Sequence, residues 1–249
     1  MRKAGADRQR RRAYSLVELI AITTITAIVA AVAVGVATKA IVFANNARVA
    51  VEMSRLNEAI AAFYMTFGDY PPDFHDMAAV KKFLRCKFPK CPPRNYPNLE
   101  AQSPASALYF WLAGPQGQGF SANPANPFDH SRARISPFFA FSPDRLKRVG
   151  SAVQYFPPRW SQSEPYVYFR GGPKGYAGHP GWSTASPYCS SDDGRWINGE
   201  AFQILCAGDD GKFGTGNHFP AGDDYSKANL DDITSFSDGY TLKQSMPAR

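Results

Sequence analysis

One carboxylate stands where an ionisable group is costly. Glu18 lies at the edge of an apolar run, and residues 19–37 contain no charged side chain and no proline. A helix over that run is roughly 28 Å long, which is about the thickness of the hydrocarbon core of a bilayer. A charged group at membrane depth costs roughly 3 kcal/mol or more unless it is paired. Glu18 is therefore a candidate functional residue, and its chemistry is charge pairing rather than catalysis.

Basic residues dominate the segment that precedes Glu18. Within the first thirteen residues a single acid, Asp7, is outnumbered by these basic side chains: Arg2, Lys3, Arg8, Arg10, Arg11 and Arg12. The positive-inside rule predicts that the N-terminus is cytoplasmic and that the bulk of the chain lies outside the cytoplasm. This segment supplies +5 of the formal net charge of +7, which leaves +2 on the remainder. A domain so close to neutrality has no electrostatic footprint for DNA or RNA, so we expect no nucleic-acid partner.

The rest of the chain offers no recognisable catalytic constellation. The GxSxG, HExxH, P-loop and GxGxxG patterns are all absent. The four histidines, at positions 75, 130, 179 and 218, have no ligand-like spacing. The sequence therefore favours a protein that is not an enzyme.

A long helix is predicted to carry Glu18. Beyond Lys39 the apolar residues step by three or four positions and form one stripe: Val49, Met53, Leu56, Ile60, Phe63 and Phe67. This spacing is typical of an amphipathic helix that packs on a globular domain. Together with the apolar run it predicts one helix over residues 15–67, roughly 80 Å long if straight. Gly68 and the Pro71-Pro72 pair are expected to end it.

Fewer elements are predicted in the remainder. Ser103-Pro104 indicates the start of a short helix over residues 105–113, with Leu108, Trp111 and Leu112 facing the core. Residues 166–170 and 202–206 read as strands, and residues 138–141 as a possible third. Punctuation by Pro, Gly and Asn predicts few regular elements over 114–159.

Four cysteines, Cys86, Cys91, Cys189 and Cys206, would lie in a compartment that permits disulfides. They allow three connectivities, and the sequence alone does not choose among them. Our preferred pairing is Cys86 with Cys91, closing a local loop, and Cys189 with Cys206. A zinc site made of all four thiolates is the alternative, but the spacings lack a CxxC pair.

The N-terminal stretch resembles the class III signal peptide of type IV prepilins and type II secretion pseudopilins. Those proteins have a basic leader, a small residue, an aromatic residue and then Ser/Thr-Leu-Ile/Val-Glu-Leu; here the corresponding residues are Ala13, Tyr14 and Ser15-Leu16-Val17-Glu18-Leu19. The resemblance implies that a prepilin peptidase cleaves between Ala13 and Tyr14 and methylates the new Tyr14 amine. It also implies that Glu18 pairs with the Tyr14 ammonium of a neighbouring subunit. Ala13 departs from the usual glycine, and Tyr14 from the commoner phenylalanine.

Two further stretches are similar to the major, G-type pseudopilins. Residues 63–71 resemble their helix exit, which commonly ends in a Gly-x-Tyr-Pro turn. The loop after Cys206 resembles their C-terminal calcium loop, with Asp210 matching the turn aspartate, Asp232 the aspartate before isoleucine, and Asp231 a neighbouring candidate. Calcium prefers six to eight hard oxygen ligands, which a loop rich in Gly and Asp supplies. A solvated loop with Asp and Gly in turns is the alternative.

The sequence thus predicts an α+β, pilin-like fold with a long N-terminal helix on a small antiparallel sheet. Its parts are a leader (1–13), a transmembrane or filament-core half (14–38), an amphipathic half (39–67) and an extracytoplasmic domain (68–249) whose region 73–200 is rich in insertions. The resemblance implies a subunit of a pseudopilus that drives type II secretion. It would be anchored in the inner membrane, and its partners would be other copies of itself, minor pseudopilins, prepilin peptidase and the inner-membrane assembly platform.

Three alternatives stay open. The chain could be a type IV pilin or minor pilin, which shares the N-terminal motif. It could be a membrane-anchored extracytoplasmic binding protein or hydrolase. A basic segment before an apolar run is also typical of an ordinary secretory signal, and Ala31-Val32-Ala33 offers an A-x-A cleavage site. The apolar run is longer than the usual signal core, however, and Glu18 has no purpose there.

Overall fold

The computed structural model describes residues 15–129, 133–158, 163–220, 225–237 and 240–246. The chain divides into two compact units, Met1–Phe43 and Ala44–Arg249. A long N-terminal helix and small, mostly antiparallel sheets make up the described residues, so the predicted α+β class is confirmed at that level.

The first helix, α1, covers Leu16–Phe67 and has 52 residues, as the sequence predicted. In the first unit its large apolar side chains are exposed, from 49% for Ile22 to 75% for Leu16. This part of α1 is long and apolar enough to cross a membrane. Four threonines within it donate their hydroxyl groups to carbonyls of the preceding turn, as when Thr26 donates to Ile22 O at 2.7 Å. Their polar groups are therefore satisfied within the helix.

In the second unit α1 supplies one wall of the core. The predicted stripe is buried at Val49, Met53, Leu56, Ile60 and Phe63, with Phe67 partly buried. Gly68 follows with φ +68°, a left-handed conformation that glycine adopts without steric cost. Its N–H donates to Tyr64 O at 2.6 Å and closes the helix.

A second helix, α2 (Met77–Lys87), was not predicted from the sequence. Asp76 caps it by accepting hydrogen bonds from Ala78 N at 2.8 Å and Ala79 N at 3.3 Å. Its buried side chains are Val80, Phe83 and Leu84. The cap residue is the local signal that the sequence offered for this helix.

The predicted 105–113 helix is a π-helix over Tyr109–Ala113, preceded by a turn. Trp111 and Leu112 are fully buried and Leu108 is 2% exposed, so the predicted core face is confirmed. Trp111 Nε1 donates to Pro72 O at 2.8 Å, which fixes the segment after α1 against this helix.

In the described residues, seven short strands form three small sheets. The strands are β1 (Leu146–Val149), β2 (Ala152–Tyr155), β3 (Val167–Arg170), β4 (Cys189–Ser190), β5 (Phe202–Cys206), β6 (His218–Phe219) and β7 (Ile233–Thr234). The central sheet has the order β3-β5-β7 and is antiparallel, with Val167 opposite Leu205 and Cys206 opposite Ile233. Strands β1 and β2 form a hairpin, and β4 pairs with β6 in parallel. The two strands predicted at 166–170 and 202–206 are confirmed and are neighbours.

One prediction for the middle of the chain is wrong. Residues 138–141 form a bend rather than a strand, because their phenylalanines point into aromatic contacts: Phe138 lies 5.3 Å from Phe63 between ring centroids, and Phe141 lies 4.7 Å from Tyr155. The β1–β2 hairpin lies where few regular elements were expected. Its turn is made by Gly150, at φ +61°.

A partly buried ion pair joins α1 to the residue that precedes that hairpin. Glu52, predicted to lie off the packed stripe, has a side chain only 12% exposed and pairs with Arg145 through both carboxylate oxygens. The hydroxyl groups of Tyr155 and Tyr166 donate to the same carboxylate at 2.6 and 2.7 Å. Four donors on one carboxylate make Glu52 a structural anchor rather than a solvated charge.

Replacing Glu52 with alanine is expected to lower the free energy of unfolding of the second unit by about 3–5 kcal/mol, because it leaves the Arg145 charge buried and unpaired. Urea unfolding of the detergent-solubilised full-length protein, followed by tryptophan fluorescence, measures this, since every tryptophan lies in that unit. Glu58→Ala, an exposed site on the same helix, is the control and should change stability by less than about 0.5 kcal/mol. Equal unfolding midpoints for the two variants would contradict the assignment.

Candidate functional site

The structure gives Glu18 a local role that the sequence analysis did not identify. Ser15 lies just before α1, and its Oγ accepts a hydrogen bond from Glu18 N at 3.1 Å. Ser-x-x-Glu is the pattern of a capping box, in which the glutamate favours the first turn of a helix. Capping accounts for a carboxylate at this position but not for the exposed apolar surface that follows it. Ala13 and Tyr14, the predicted cleavage and methylation residues, lie outside the described part of the chain.

The two acidic stretches of the predicted calcium loop come together. Asp210 N donates to Asp231 Oδ2 at 2.9 Å. A side chain at Gly208 would meet the backbone of Asp231 at 2.1 Å, so only glycine allows this approach. Burial raises the pKa of Asp231, and the negative charge of Asp210 adds to that rise.

Asp232 is the most deeply placed carboxylate of this loop, at 1% exposure. It accepts long hydrogen bonds from Gly208 N at 3.3 Å, Gly214 N at 3.5 Å and the Tyr188 hydroxyl at 3.5 Å. Burial raises its pKa well above the usual value, and the nearby Asp231 charge raises it further. No cationic side chain is among the causes of this shift. A buried carboxylate in these surroundings is unstable when ionised unless a cation is supplied.

Asn229 holds the two stretches in place. Its side chain is fully buried, and Nδ2 donates to the Tyr188 hydroxyl at 2.9 Å and to Gly216 O at 2.8 Å. Its Oδ1 accepts from Gly216 N at 3.1 Å and from Ser226 N at 3.0 Å. The sequence analysis did not single out Asn229, because an asparagine in a loop usually reads as a turn residue.

Hard oxygens on a glycine-bearing loop fit the chemistry of calcium, but the three aspartates do not form a closed set. Among the described residues, only Asp73, His75 and His179 bring one ligand atom each within 4.8 Å of one another. Asp210, Asp231 and Asp232 do not, since their charges repel one another and Asp210 Oδ1 accepts from Lys212 N at 2.9 Å. Backbone carbonyls would have to complete any site there.

The tightest cluster of titratable side chains among the described residues was not predicted from the sequence. Asp73 is 2% exposed and lies in the segment between α1 and α2. Its Oδ1 lies 2.6 Å from His75 Nδ1, and its Oδ2 lies 2.9 Å from His179 Nε2 and accepts from Arg170 N at 2.8 Å. The two imidazole rings are 4.0 Å apart between centroids. His179 is 106 positions from Asp73, so no sequence spacing could reveal the contact.

Hydrogen bonds to His179 argue against a metal in this cluster. Gly181 N donates to His179 Nδ1 at 2.9 Å, which makes Nδ1 an acceptor and places the ring proton on Nε2, facing Asp73. A metal on Nε2 would move that proton to Nδ1, where it would face the Gly181 N–H. In this cluster the Asp73 carboxylate orients two imidazoles. His179, whose side chain is 1% exposed, is the inner of the two.

His75 is the member of the cluster that faces solvent. Its side chain is 30% exposed. The hydrogen bond to Asp73 raises the pKa of His75, although partial burial opposes the shift. Burial of Asp73 would raise the pKa of that carboxyl, but hydrogen bonds from His179, His75 and Arg170 N outweigh it and lower the pKa below its usual range.

The four cysteines do not form one site. Cys86, exposed on the last turn of α2, and Cys91, buried in the following loop, are both thiols in the structure rather than the predicted local disulfide. Cys189 Sγ lies 3.5 Å from Asn217 O, and Cys206 Sγ lies 3.4 Å from Ala207 O. The structure shows no bond between Cys189 and Cys206 either, so it contains neither predicted disulfide.

Both partners of the His75–Asp73 pair set the pH range in which the pair stabilises the fold. The raised pKa of His75 means that its contribution is complete below about pH 6.5 and is lost as the pH rises through the folded-state pKa. The lowered pKa of Asp73 means that its contribution is complete above about pH 4 and is lost on acidification.

We therefore expect the free energy of unfolding of the wild type to fall between pH 6 and pH 8.5 by more than that of His75→Gln. Glutamine keeps an N–H donor near Asp73 but does not titrate. Urea unfolding at both pH values and constant ionic strength gives the comparison. An identical pH dependence in the two proteins would exclude a charged His75–Asp73 pair.

Comparison of the chain with protein-family models, with curated proteins and with solved structures found no match. The resemblance described above therefore rests on the motifs of residues 10–72 and 202–234 themselves. The family assignment and the pilin-like form of the fold accordingly belong to the proposal that follows.

Proposed function

We propose that this protein is a pilin-like structural subunit of an envelope filament, closest to the major pseudopilin of a type II secretion system. One observation carries the proposal: the apolar side chains of α1 are exposed throughout the first unit, and a carboxylate, Glu18, lies in the first turn. So large an apolar surface requires lipid or other helices as its surroundings. A membrane provides the first environment and a bundle of identical helices the second.

Glu18 would then set the register of assembly. After cleavage behind Ala13, the amine of Tyr14 is a cation close to the start of the apolar run of α1. A buried Glu18 carboxylate can pair with the Tyr14 ammonium of an adjacent subunit, and removal of one partner of such a pair costs about 3–5 kcal/mol. Subunits placed out of register would leave both charges unpaired, so the pair favours one stagger of the helices.

The basic residues before Ala13 support an inner-membrane location, with the N-terminus cytoplasmic and the second unit extracytoplasmic. In that orientation prepilin peptidase and the assembly platform act on the α1 segment, and minor pseudopilins are further partners. A type IV pilin would share every one of these features. The calcium-loop resemblance of Asp210 and Asp232 is what favours the pseudopilin.

Calcium at the C-terminal loop is a part of this proposal. Asp232, Asp231 and Asp210 would hold it with their carboxylates, and the ion would supply the positive charge that the buried Asp232 lacks. The loop residues would move by a small amount to close around it. The ion would rigidify the connection between β5 and β7, the two strands that flank the loop.

Glu18→Gln tests the filament. The variant is expected to insert into membranes and to be processed like the wild type, but to lose filament assembly, because glutamine cannot neutralise the Tyr14 ammonium. The protein is crosslinked in membranes with a reagent that reacts with lysines and not with cysteines. Electrophoresis then shows the multimers as a ladder of bands. Mass spectrometry of the N-terminal peptide checks that both proteins begin at N-methylated Tyr14.

Glu58→Gln is the matched control, since it makes the same chemical change at an exposed position of α1 in the second unit. It should assemble like the wild type. A wild-type chain that begins at Met1, or after Ala33, would exclude the filament. Full assembly of Glu18→Gln would leave an anchored extracytoplasmic protein as the better interpretation.

Calcium is expected to raise the unfolding temperature of the full-length protein, because an ion that binds only the folded state stabilises it, by about 4 kcal/mol at a thousand times its dissociation constant. Asp232→Asn keeps the size of the side chain and should abolish the shift. Differential scanning fluorimetry with calcium, with magnesium and with a chelator measures both effects. Asp193→Asn, at an exposed carboxylate outside the loop, is the control. No calcium shift in the wild type, or an unchanged shift in Asp232→Asn, would contradict the site.

A further inference from the structure

A cleft of about 630 Å³ lies beside the Asp73 cluster, in a part of the chain that filament assembly does not use. One wall is a face of α2 formed by Ala79, Lys82, Phe83 and Cys86. The opposite wall is the turn after β3, residues 171–177, and the floor is made by Asp73 and its two histidines. A cleft of this volume is within the range that small-molecule ligands occupy.

Both walls are held rigidly. On the α2 side the cleft residues follow helical spacing, and Phe83 anchors the helix in the core at 7% exposure. On the other side Gly172 and Gly175 exchange two backbone hydrogen bonds of 2.9 Å, which places Lys174 at the tip of a tight turn. Gly175 has φ +66°, and a side chain there would meet Trp196 at 2.2 Å, so the turn is fixed against that ring.

The acidic side chains of the cleft are neutralised or otherwise engaged by the protein itself. Asp69 pairs with Arg170 at 2.9 Å. Asp73 accepts from two imidazoles and two backbone N–H groups. Asp76 caps α2. The carboxylates of Asp69 and Asp73 are thus paired within the fold, whereas Asp76 keeps a charge that also acts on His75.

Three cationic side chains of the cleft, by contrast, have no ionic partner among the described residues. Lys82 and Lys87 on α2 and Lys174 on the turn make no ion pair with any residue in the described part of the chain. His75 uses Nδ1 for Asp73, and its Nε2 makes no hydrogen bond to the described residues. The cleft therefore presents unpaired lysine charge from both walls and a free ring nitrogen, His75 Nε2, from the floor.

The remaining lining is apolar. Tyr70, Pro72, Phe83, Pro173 and Tyr176 contribute to it. Tyr70 and Phe83 are held by aromatic neighbours: Tyr70 lies 5.3 Å from Phe202 and Phe83 lies 5.2 Å from Trp111, between ring centroids. An inorganic ion would use only the cationic part of the cleft. A ligand with an apolar body would use the whole of it.

We propose that this cleft binds a small organic anion, a carboxylate or phosphate ester carried on a flat apolar body. Lys82, Lys174 and His75 Nε2 bind the anionic group, and the apolar body packs on Tyr70 and Phe83. His179 fixes the position of the Asp73 carboxylate, and the hydrogen bond to Asp73 holds His75 in the cleft. The site uses no residue of α1 in the first unit, so it can be tested separately from filament assembly.

The cleft is assigned to binding rather than to catalysis by a cysteine. Cys86 lines it and His75 is an oriented imidazole, which together suggest a nucleophile and its base. Cys86, however, lies ten residues after the helix cap Asp76, about 15 Å along the axis of α2. The described residues show no hydrogen bond between the Cys86 thiol and His75, so the two are not arranged as a nucleophile and its base.

Isothermal titration calorimetry on the detergent-solubilised full-length protein tests the proposal with defined probes. Phenyl phosphate and benzoate represent the two anionic groups on one aromatic body, benzyl alcohol is the neutral analogue, and inorganic phosphate lacks the apolar body. At least one aromatic anion is expected to bind about tenfold or more tightly than both benzyl alcohol and inorganic phosphate. The tighter of the two anions identifies the class of the natural ligand.

Lys82→Gln and Lys174→Gln are each expected to weaken binding of the preferred anion about tenfold, which corresponds to about 1.4 kcal/mol. Lys81→Gln is the matched control: it neighbours Lys82 on the same helix but faces a different pocket, beside Tyr96 and Leu99. All three lysines are exposed, so the urea midpoint should match the wild type and confirm folding.

Two results would overturn the assignment. One is the absence of heat for both aromatic anions at millimolar concentration. The other is equal affinity in Lys81→Gln, Lys82→Gln and Lys174→Gln, which would show that the anion is attracted to the surface as a whole. The readout does not involve Glu18, so failure here leaves the filament proposal untouched, and the reverse also holds.

Discussion

The packing of Phe63 is the contact on which the second unit depends. This fully buried ring projects from α1 and lies 6.2 Å from Phe83 of α2, 6.1 Å from Trp111 of the π-helix and 5.3 Å from Phe138, between ring centroids. Three segments that are distant in sequence therefore meet on one helix face. Aromatic side chains bury large areas and prefer such offset-stacked and edge contacts. The same face explains why residues 138–141 form a bend: their rings fill the space around α1 and not a sheet.

Three buried carboxylates show how the surroundings of a charge decide its role. Glu52 and Asp73 each receive several donors, including a cationic partner or an imidazole; Glu52 joins α1 to Arg145, and Asp73 joins the segment after α1 to His179. Asp232 is as deep as Asp73, but within the described residues it has only long hydrogen bonds to two amides and a hydroxyl. The opposite directions of the pKa shifts at Asp73 and Asp232 express this difference. A cation supplied from outside would give Asp232 what Glu52 and Asp73 obtain from the fold.

Two surfaces of the described residues have no binding partner within the fold. One is the exposed apolar part of α1, which requires lipid or neighbouring helices. The other is the cationic cleft beside His75, which requires an anion. Filament subunits and anchored binding proteins share the first surface, and only a binding role uses the second. The two surfaces use different residues, so a subunit of a filament can also carry a ligand in its globular part.

Local periodicity determined part of this protein from the sequence alone. The three- and four-residue steps of Leu56, Ile60 and Phe63 specify both the helix and its buried face, because neighbours on a helix are set by positions within one turn. The β-branched and aromatic run at Phe202–Cys206 specifies its strand in the same way. The position of Glu18 at the edge of an apolar run is likewise readable without a fold, since its cost depends only on the residues around it.

Tertiary structure decided the sites. Glu52 and Arg145 are 93 positions apart, and Asp73 and His179 are 106 apart. No spacing rule connects such pairs, because the distance between them depends on how α1, α2 and the central sheet pack. The sequence analysis did not single out the lysines of α2 and of the turn after β3. Only the packing of those two segments across one cleft places them together, and only the internal pairing of Asp69 and Asp73 leaves their charge unbalanced.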